Sequence, residues 1–170
     1  MRVVRPVGAL WRYPVKSMMG EEVNAAEVTE RGLVGDRGFA VADPSTGLVA
    51  GAKNPRKWGN FFDFRAAYAE PPQRGCKLPV VRVTLPDGAV VTSDQPDLTR
   101  VLSGAIGDEV RLRITGGCPG CVMTTLPQAD LPRDTGILRA AAQHNHADVG
   151  VYGEVIAGGA IRRGDRVTLI

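Results

Sequence analysis

Val80-Val81-Arg82-Val83-Thr84-Leu85-Pro86-Asp87-Gly88-Ala89-Val90-Val91-Thr92 is the stretch that decides the fold class. Its first arm alternates Val81, Val83 and Leu85 with Arg82 and Thr84, the period-two pattern of a half-buried strand. Pro86-Asp87-Gly88 supplies turn chemistry, and residues 89–92 return as a second arm, so the whole reads as a hairpin. Working outward, the same punctuation recurs. Residues 3–12 read as a strand ended by Tyr13-Pro14, and 23–29 as another. Residues 39–43 join through Asp43-Pro44-Ser45-Thr46-Gly47 to Leu48-Val49-Ala50 as a second hairpin. Residues 61–68 form a further candidate strand before a loop over 70–75 that holds Pro71-Pro72. A short helix follows the central hairpin, with Ser93 or Asp94 as cap, Pro96 in its first turn, and Leu98, Val101, Leu102 and Ile106 on one face. Residues 110–114 read as a strand and 134–143 as a second short helix with Asp134 as N-cap. Residues 151–156 and 167–170 close the chain as strands, separated by Arg163-Gly164-Asp165. Many short strands with only two short helices predict a mainly β fold, a β-barrel or sandwich.

Composition narrows the class. A chain of 170 residues predicts one domain, or one domain with a small subdomain. At that length it buries enough surface to hold together without disulfide staples. The 21 glycines and 12 prolines favour turns and short strands over long helices. The net charge is only +3 and no run of Lys and Arg exceeds two, so no nucleic-acid groove is expected. No stretch has the ~20 apolar residues of a membrane span, and the first ten residues lack a signal-peptide core. A cytoplasmic protein, with neither nucleic acid nor membrane as partner, is the expectation. Its three cysteines, Cys76, Cys118 and Cys121, then read as free thiols or ligands.

Two patches carry chemistry. Gly117-Cys118-Pro119-Gly120-Cys121-Val122-Met123-Thr124-Thr125 sets two thiols in a loop whose glycines permit close backbone approach and whose proline stiffens the turn. Structural zinc would need a second ligand pair, which Cys76, His144 and His146 do not supply at suitable spacing, so no zinc is expected. A thioredoxin-type dithiol wants a helix after its first cysteine, and Val122-Met123-Thr124-Thr125-Leu126-Pro127 is a poor one. A thiolate ligating a metal held by another molecule, and a loop of ordinary free thiols, both stay open. The second patch joins Tyr13-Pro14-Val15-Lys16-Ser17 to Gly35-Asp36-Arg37-Gly38. Arg matches an anion with a two-pronged fork, Lys adds a point charge, and Ser adds a hydroxyl or its amide. Each motif alone is also what a solvated turn looks like. Tyr152 reads as a core or edge aromatic, and His144 and His146 as residues of a helix C-terminus.

Taken in order, these patches resemble the MOSC family, named for the C-terminal domain of molybdenum cofactor sulfurase. The resemblance rests on Leu10-Trp11-Arg12-Tyr13-Pro14-Val15-Lys16-Ser17, on Gly32-Leu33-Val34-Gly35-Asp36-Arg37, and on Cys121-Val122-Met123-Thr124-Thr125 followed by Asp134-Thr135-Gly136. Val151-Tyr152-Gly153 and Ile161-Arg162-Arg163-Gly164-Asp165 are similar to the end of that domain. The nearest group is that of the mitochondrial amidoxime reducing component and its bacterial relatives. The resemblance implies a MOSC-type β-barrel, with an N-terminal β-barrel-like region over 1–92 and a core region over 93–170 that carries the cysteine loop. It implies a molybdenum–molybdopterin cofactor, a small N-hydroxylated or related oxygenated substrate, and an electron-donor redox protein as partner. Cys121 would be the molybdenum ligand and catalytic thiolate, Lys16, Ser17, Arg37 and Thr124 would bind the cofactor, and Tyr152 would line the pocket. The family's Phe-Arg-Pro-Asn motif is missing here, and Arg111 and Arg113 are the arginines that precede the loop. With the segment that carries that motif missing, Cys118 would act beside Cys121 as a resolving thiol, and the alternative function is a carrier that delivers sulfur or cofactor through a persulfide on Cys121.

Overall fold

The structure, a computed structural model, describes residues 2–114 and 155–169. Strands β1 (Arg2–Pro6) and β2 (Leu10–Arg12) replace the single strand expected over 3–12. Pro6 has no amide hydrogen for a ladder, and Gly8 lies two residues beyond it. The strand expected over 23–29 likewise divides into β3 (Glu21–Val23) and β4 (Ala25–Thr29). A tight return leads into β5 (Gly32–Leu33), where Gly32 sits at φ 97°. Strand β6 (Phe39–Ala42) is buried at every residue. The second hairpin is present in short form, with Ala42 bridged to Val49 and Asp43 N–H donating to Leu48 O at 2.9 Å.

Helix α1 (Pro55–Trp58) is one turn with proline at its start, where a fixed φ and a missing N–H are harmless. A 3-10 turn over Phe61–Asp63 precedes β7 (Arg65–Tyr68). The strand expected from residue 61 therefore begins four residues late. Phe61 and Phe62 are both buried, and adjacent strand residues would point to opposite faces. A tight helical turn sends both inward.

The central hairpin is confirmed as β8 (Val81–Thr84) and β9 (Val90–Thr92), paired antiparallel, with Gly88 at φ 87° in its turn. Helix α2 (Leu98–Ile106) buries Leu98, Leu102 and Ile106 and half-buries Val101, and Gly107 ends it in the left-handed region at φ 86°. Its start is later than the sequence suggested. Ser93 Oγ accepts Val81 N–H at 3.0 Å, and Gln95 Oε1 accepts Thr92 N–H at 2.9 Å. Residues 93–97 are thus a turn that closes the hairpin, and Asp97 takes the cap position. Strand β10 (Arg111–Ile114) follows as expected. Of the strand expected over 151–156, residues 151–154 lie outside the described residues and Val155 and Ile156 are in no strand, while β11 (Gly159–Arg162) and β12 (Arg166–Leu169) flank the expected turn. The helix expected over 134–143 lies outside the described residues.

The fold is mainly β with few short helices. Pairings among the described residues make five small sheets: β1–β12, β2–β3, β11–β4–β5, β10–β6 and β7–β8–β9. These pairings do not trace a closed barrel. A common core lies under β6 and joins the β7–β8–β9 sheet to α2 through Val41, Phe61, Phe64, Val81, Val83 and Leu102, all fully buried. Each such side chain stabilises by about 1.5–3 kcal/mol. That core makes β6 a rigid rail.

Candidate functional site

Two segments dock on one edge of that rail. Phe39 N–H donates to Pro14 O at 3.0 Å and Lys16 N–H to Phe39 O at 2.9 Å, so residues 14–16 run parallel to the first half of β6. Ala50 N–H donates to Val41 O at 2.8 Å, so the returning arm of the hairpin runs antiparallel to the second half. Carbonyls two residues apart in a strand point the same way. The two segments therefore converge on a single edge and meet at Ser17 and Gly51. Val15 and Met18 are buried and anchor the first segment, leaving the side chain of Lys16 half-buried on the other side.

The meeting point has a defined polar geometry. Ala52 N–H donates to Ser17 Oγ at 3.2 Å. A Cβ on Gly51 would stand 2.8 Å from Lys16 Nζ and 3.3 Å from Ser17 Oγ. Only glycine lets the ammonium lie this close to the backbone. Lys16 has no ion pair and no side-chain hydrogen bond among the described residues, while Lys57 is held by Asp43 and Asp108 at 2.8 and 3.2 Å. Ser17 is buried, and with Oγ already accepting the Ala52 amide its own hydrogen remains to donate.

Among the described residues the two non-glycine positions with positive φ are Ser17 at 69° and Arg37 at 50°. Each such conformation costs about 1–3 kcal/mol and persists where surrounding contacts impose it. For Arg37 those contacts are visible. Its N–H donates to Tyr13 O at 2.7 Å, while Tyr13 N–H donates to Asp36 Oδ1 at 2.8 Å. Asp36 Oδ2 lies 3.3 Å from Arg37 Nη1, and the guanidinium stays 40% exposed. Asp36 thus both caps the opposite segment and steadies Arg37.

Below this turn, Tyr68 Oη donates to Gly35 O at 2.8 Å. Arg12 lies over the Tyr68 ring at 5.1 Å and pairs with Glu21 at 2.7 Å. Burial pushes the Tyr68 phenol up to about 12, so it stays a neutral donor. Gly35 and Gly38 allow this packing, since a Cβ on either would fall 2.8 Å from the Tyr68 side chain.

Lys16, Ser17 and Arg37, chosen from sequence, are therefore carried on adjacent hydrogen-bonded segments. Strand β10 pairs with the other edge of β6, Ile114 opposite Phe39. The chain leaves β10 at the same end of β6 that holds Arg37. Cys118, Cys121, Thr124 and Tyr152 lie outside the described residues, and Cys76 is exposed in a different loop. Sequence reasoning missed Gly51 and the Arg12–Glu21–Tyr68 support. The signal for Gly51 was Ala50-Gly51-Ala52 after a strand, because small residues there mark a close approach. No group of three or more His, Cys, Asp or Glu suited to a metal ion occurs among the described residues, nor any helix long and apolar enough to cross a membrane.

Compared with known proteins, residues 4–143 match the family model of the MOSC N-terminal beta barrel domain. No curated protein matches the chain.

Proposed function

This chain belongs to the family of the MOSC N-terminal beta barrel domain, a domain related to molybdenum cofactor sulfurase, and from that premise we propose that it is a molybdenum cofactor-binding oxidoreductase. The observation that carries the proposal is the half-buried Lys16 ammonium, without a partner among the described residues, seated on Gly51 beside the Ser17 hydroxyl.

The donor set fits the anionic part of such a cofactor. Lys16 supplies a point charge, Ser17 an O–H donor, and Arg37 an exposed fork, all on strained or glycine-backed positions that pre-organise them. Lys16 and Arg37 would neutralise a phosphate, and Ser17 would fix its orientation. Cys121 would give the thiolate ligand, Thr124 would bind the cofactor, and Tyr152 would line the pocket. When bound, the molybdenum centre would supply the electron exchange that reduces an N-hydroxylated or related oxygenated small molecule, with a separate redox protein as electron donor. The protein's own share is orientation and charge neutralisation.

The test is metal analysis of protein made in a host that synthesises the cofactor. Stoichiometric molybdenum in the wild type, lost in Cys121→Ser and reduced in Lys16→Met, is the expected result. A preparation without molybdenum overturns the proposal. Intact mass showing an added sulfur that reductant removes would assign a carrier instead.

A further inference from the structure

The turn that carries Arg37 has a second neighbour. Residues 69–80 leave β7 and return to β8 as a closed surface loop, with Ala69 N–H donating to Val80 O at 2.8 Å. Compact loops of this kind are frequently functional. Buried Pro72 packs on Gly35, and Leu78 packs on Gly38. Between this loop and the β4–β5 turn lies a cleft of about 340 Å³, a volume suited to a small molecule.

Arg31 lines the cleft from the β4–β5 turn and Arg74 from the loop, with Glu30 the one carboxylate among the lining residues. Neither guanidinium makes an ion pair or a side-chain hydrogen bond among the described residues, not even with Glu30. Arg12, Arg100 and Arg163, by contrast, each hold a carboxylate. Two forks from separate segments in one cleft, neither paired among the described residues, match two anionic groups on one ligand.

We propose that this cleft is a binding site for a small dianion, a dicarboxylate or a phosphate monoester, separate from the Lys16 site. It does not depend on the molybdenum reading. Its inner wall, Val34 and Leu78, lies against the Gly35–Gly38 turn, so an occupant sits one layer from Arg37. Glu30 opposes the ligand's charge and sets how tightly it is held.

Cys76, exposed and part of the cleft wall, provides a local reporter. Its alkylation by neutral iodoacetamide is followed by peptide mass spectrometry on the full chain, with succinate or inorganic phosphate added at low ionic strength. Saturable slowing at Cys76 is expected. Succinate as the effective probe assigns a dicarboxylate, and phosphate assigns a phosphate monoester. Arg31→Ser and Arg74→Ser should each weaken protection about tenfold, and Glu30→Gln should strengthen it. Lys16→Met should leave it unchanged. No saturable protection by either probe overturns the proposal. So does protection that survives both arginine replacements, or that disappears with Lys16→Met.

Discussion

Gly51→Ala separates binding from stability at the candidate site. The new methyl would lie 2.8 Å from Lys16 Nζ and 3.3 Å from Ser17 Oγ. Contacts of this type settle at about 3.5–4.0 Å, so the ammonium must retreat by about 1 Å. It can do so cheaply, because it is the free end of a flexible side chain. Gly51 is not in the left-handed region, and alanine there restricts the unfolded chain, a gain of about 0.4–1 kcal/mol. Crowding at Ser17 Oγ offsets that gain, so urea unfolding should place the variant within about 1 kcal/mol of wild type. Anion binding should respond far more. A charge-assisted hydrogen bond is worth about 1.5–3 kcal/mol, so losing the seated ammonium should weaken affinity about tenfold or more. Molybdenum content and titration with inorganic phosphate both read this effect. Lys16→Met should give the same loss, and the double variant no more than either single change. Full retention of molybdenum and phosphate affinity by Gly51→Ala would refute the reasoning, as would a loss of several kcal/mol in stability.

Removing the Tyr68 hydroxyl in Tyr68→Phe leaves the Gly35 carbonyl only the longer bond from Gly38 N–H at 3.4 Å and should cost about 1 kcal/mol in urea unfolding. Because the folded phenol is raised to about 12 from 10.0, its contribution is complete below pH 10 and disappears as the pH rises through about 12. The wild-type excess over Tyr68→Phe should therefore fall across that window. Glu21→Gln leaves the buried Arg12 guanidinium without its countercharge and should destabilise by about 3 kcal/mol, the lower end of the range for buried pairs because Glu21 is partly exposed. Hydrogen bonds from Lys57 and Ser45 hold the Asp43 carboxyl well below its ordinary 3.8. Its stabilisation is present above that value and is lost as the pH falls toward the depressed one. Acid titration of Asp43→Asn should show a flatter low-pH limb than wild type.

Local signals made the central hairpin legible. Val81 and Val83 alternate with polar neighbours, and Pro86-Asp87-Gly88 admits few alternatives. The buried face of α2 was readable for the same reason. Its first turn was not, because Ser93 and Gln95 serve the preceding hairpin, a tertiary use that spacing does not reveal. Phe61 and Phe62 look like strand residues, yet a 3-10 turn buries both. At the candidate site, Lys16, Ser17 and Arg37 were visible as residue types in glycine- and proline-bounded loops. Their convergence was implied by the family resemblance but not by spacing, since it depends on β6 receiving two distant segments end to end. The part played by Gly51 arises only from that convergence.

The same arrangement tells an engineer where the chain tolerates change. The exposed turn at Ser45–Thr46–Gly47 is the distal end of one docked arm, and its contacts with Asp43 and Leu48 are local. A peptide tag spliced after Thr46 should leave the ammonium seat undisturbed, since the arm's grip on β6 starts nearer the junction. Deleting one residue between Val49 and Gly51 would instead change the register and present a different backbone atom to Lys16.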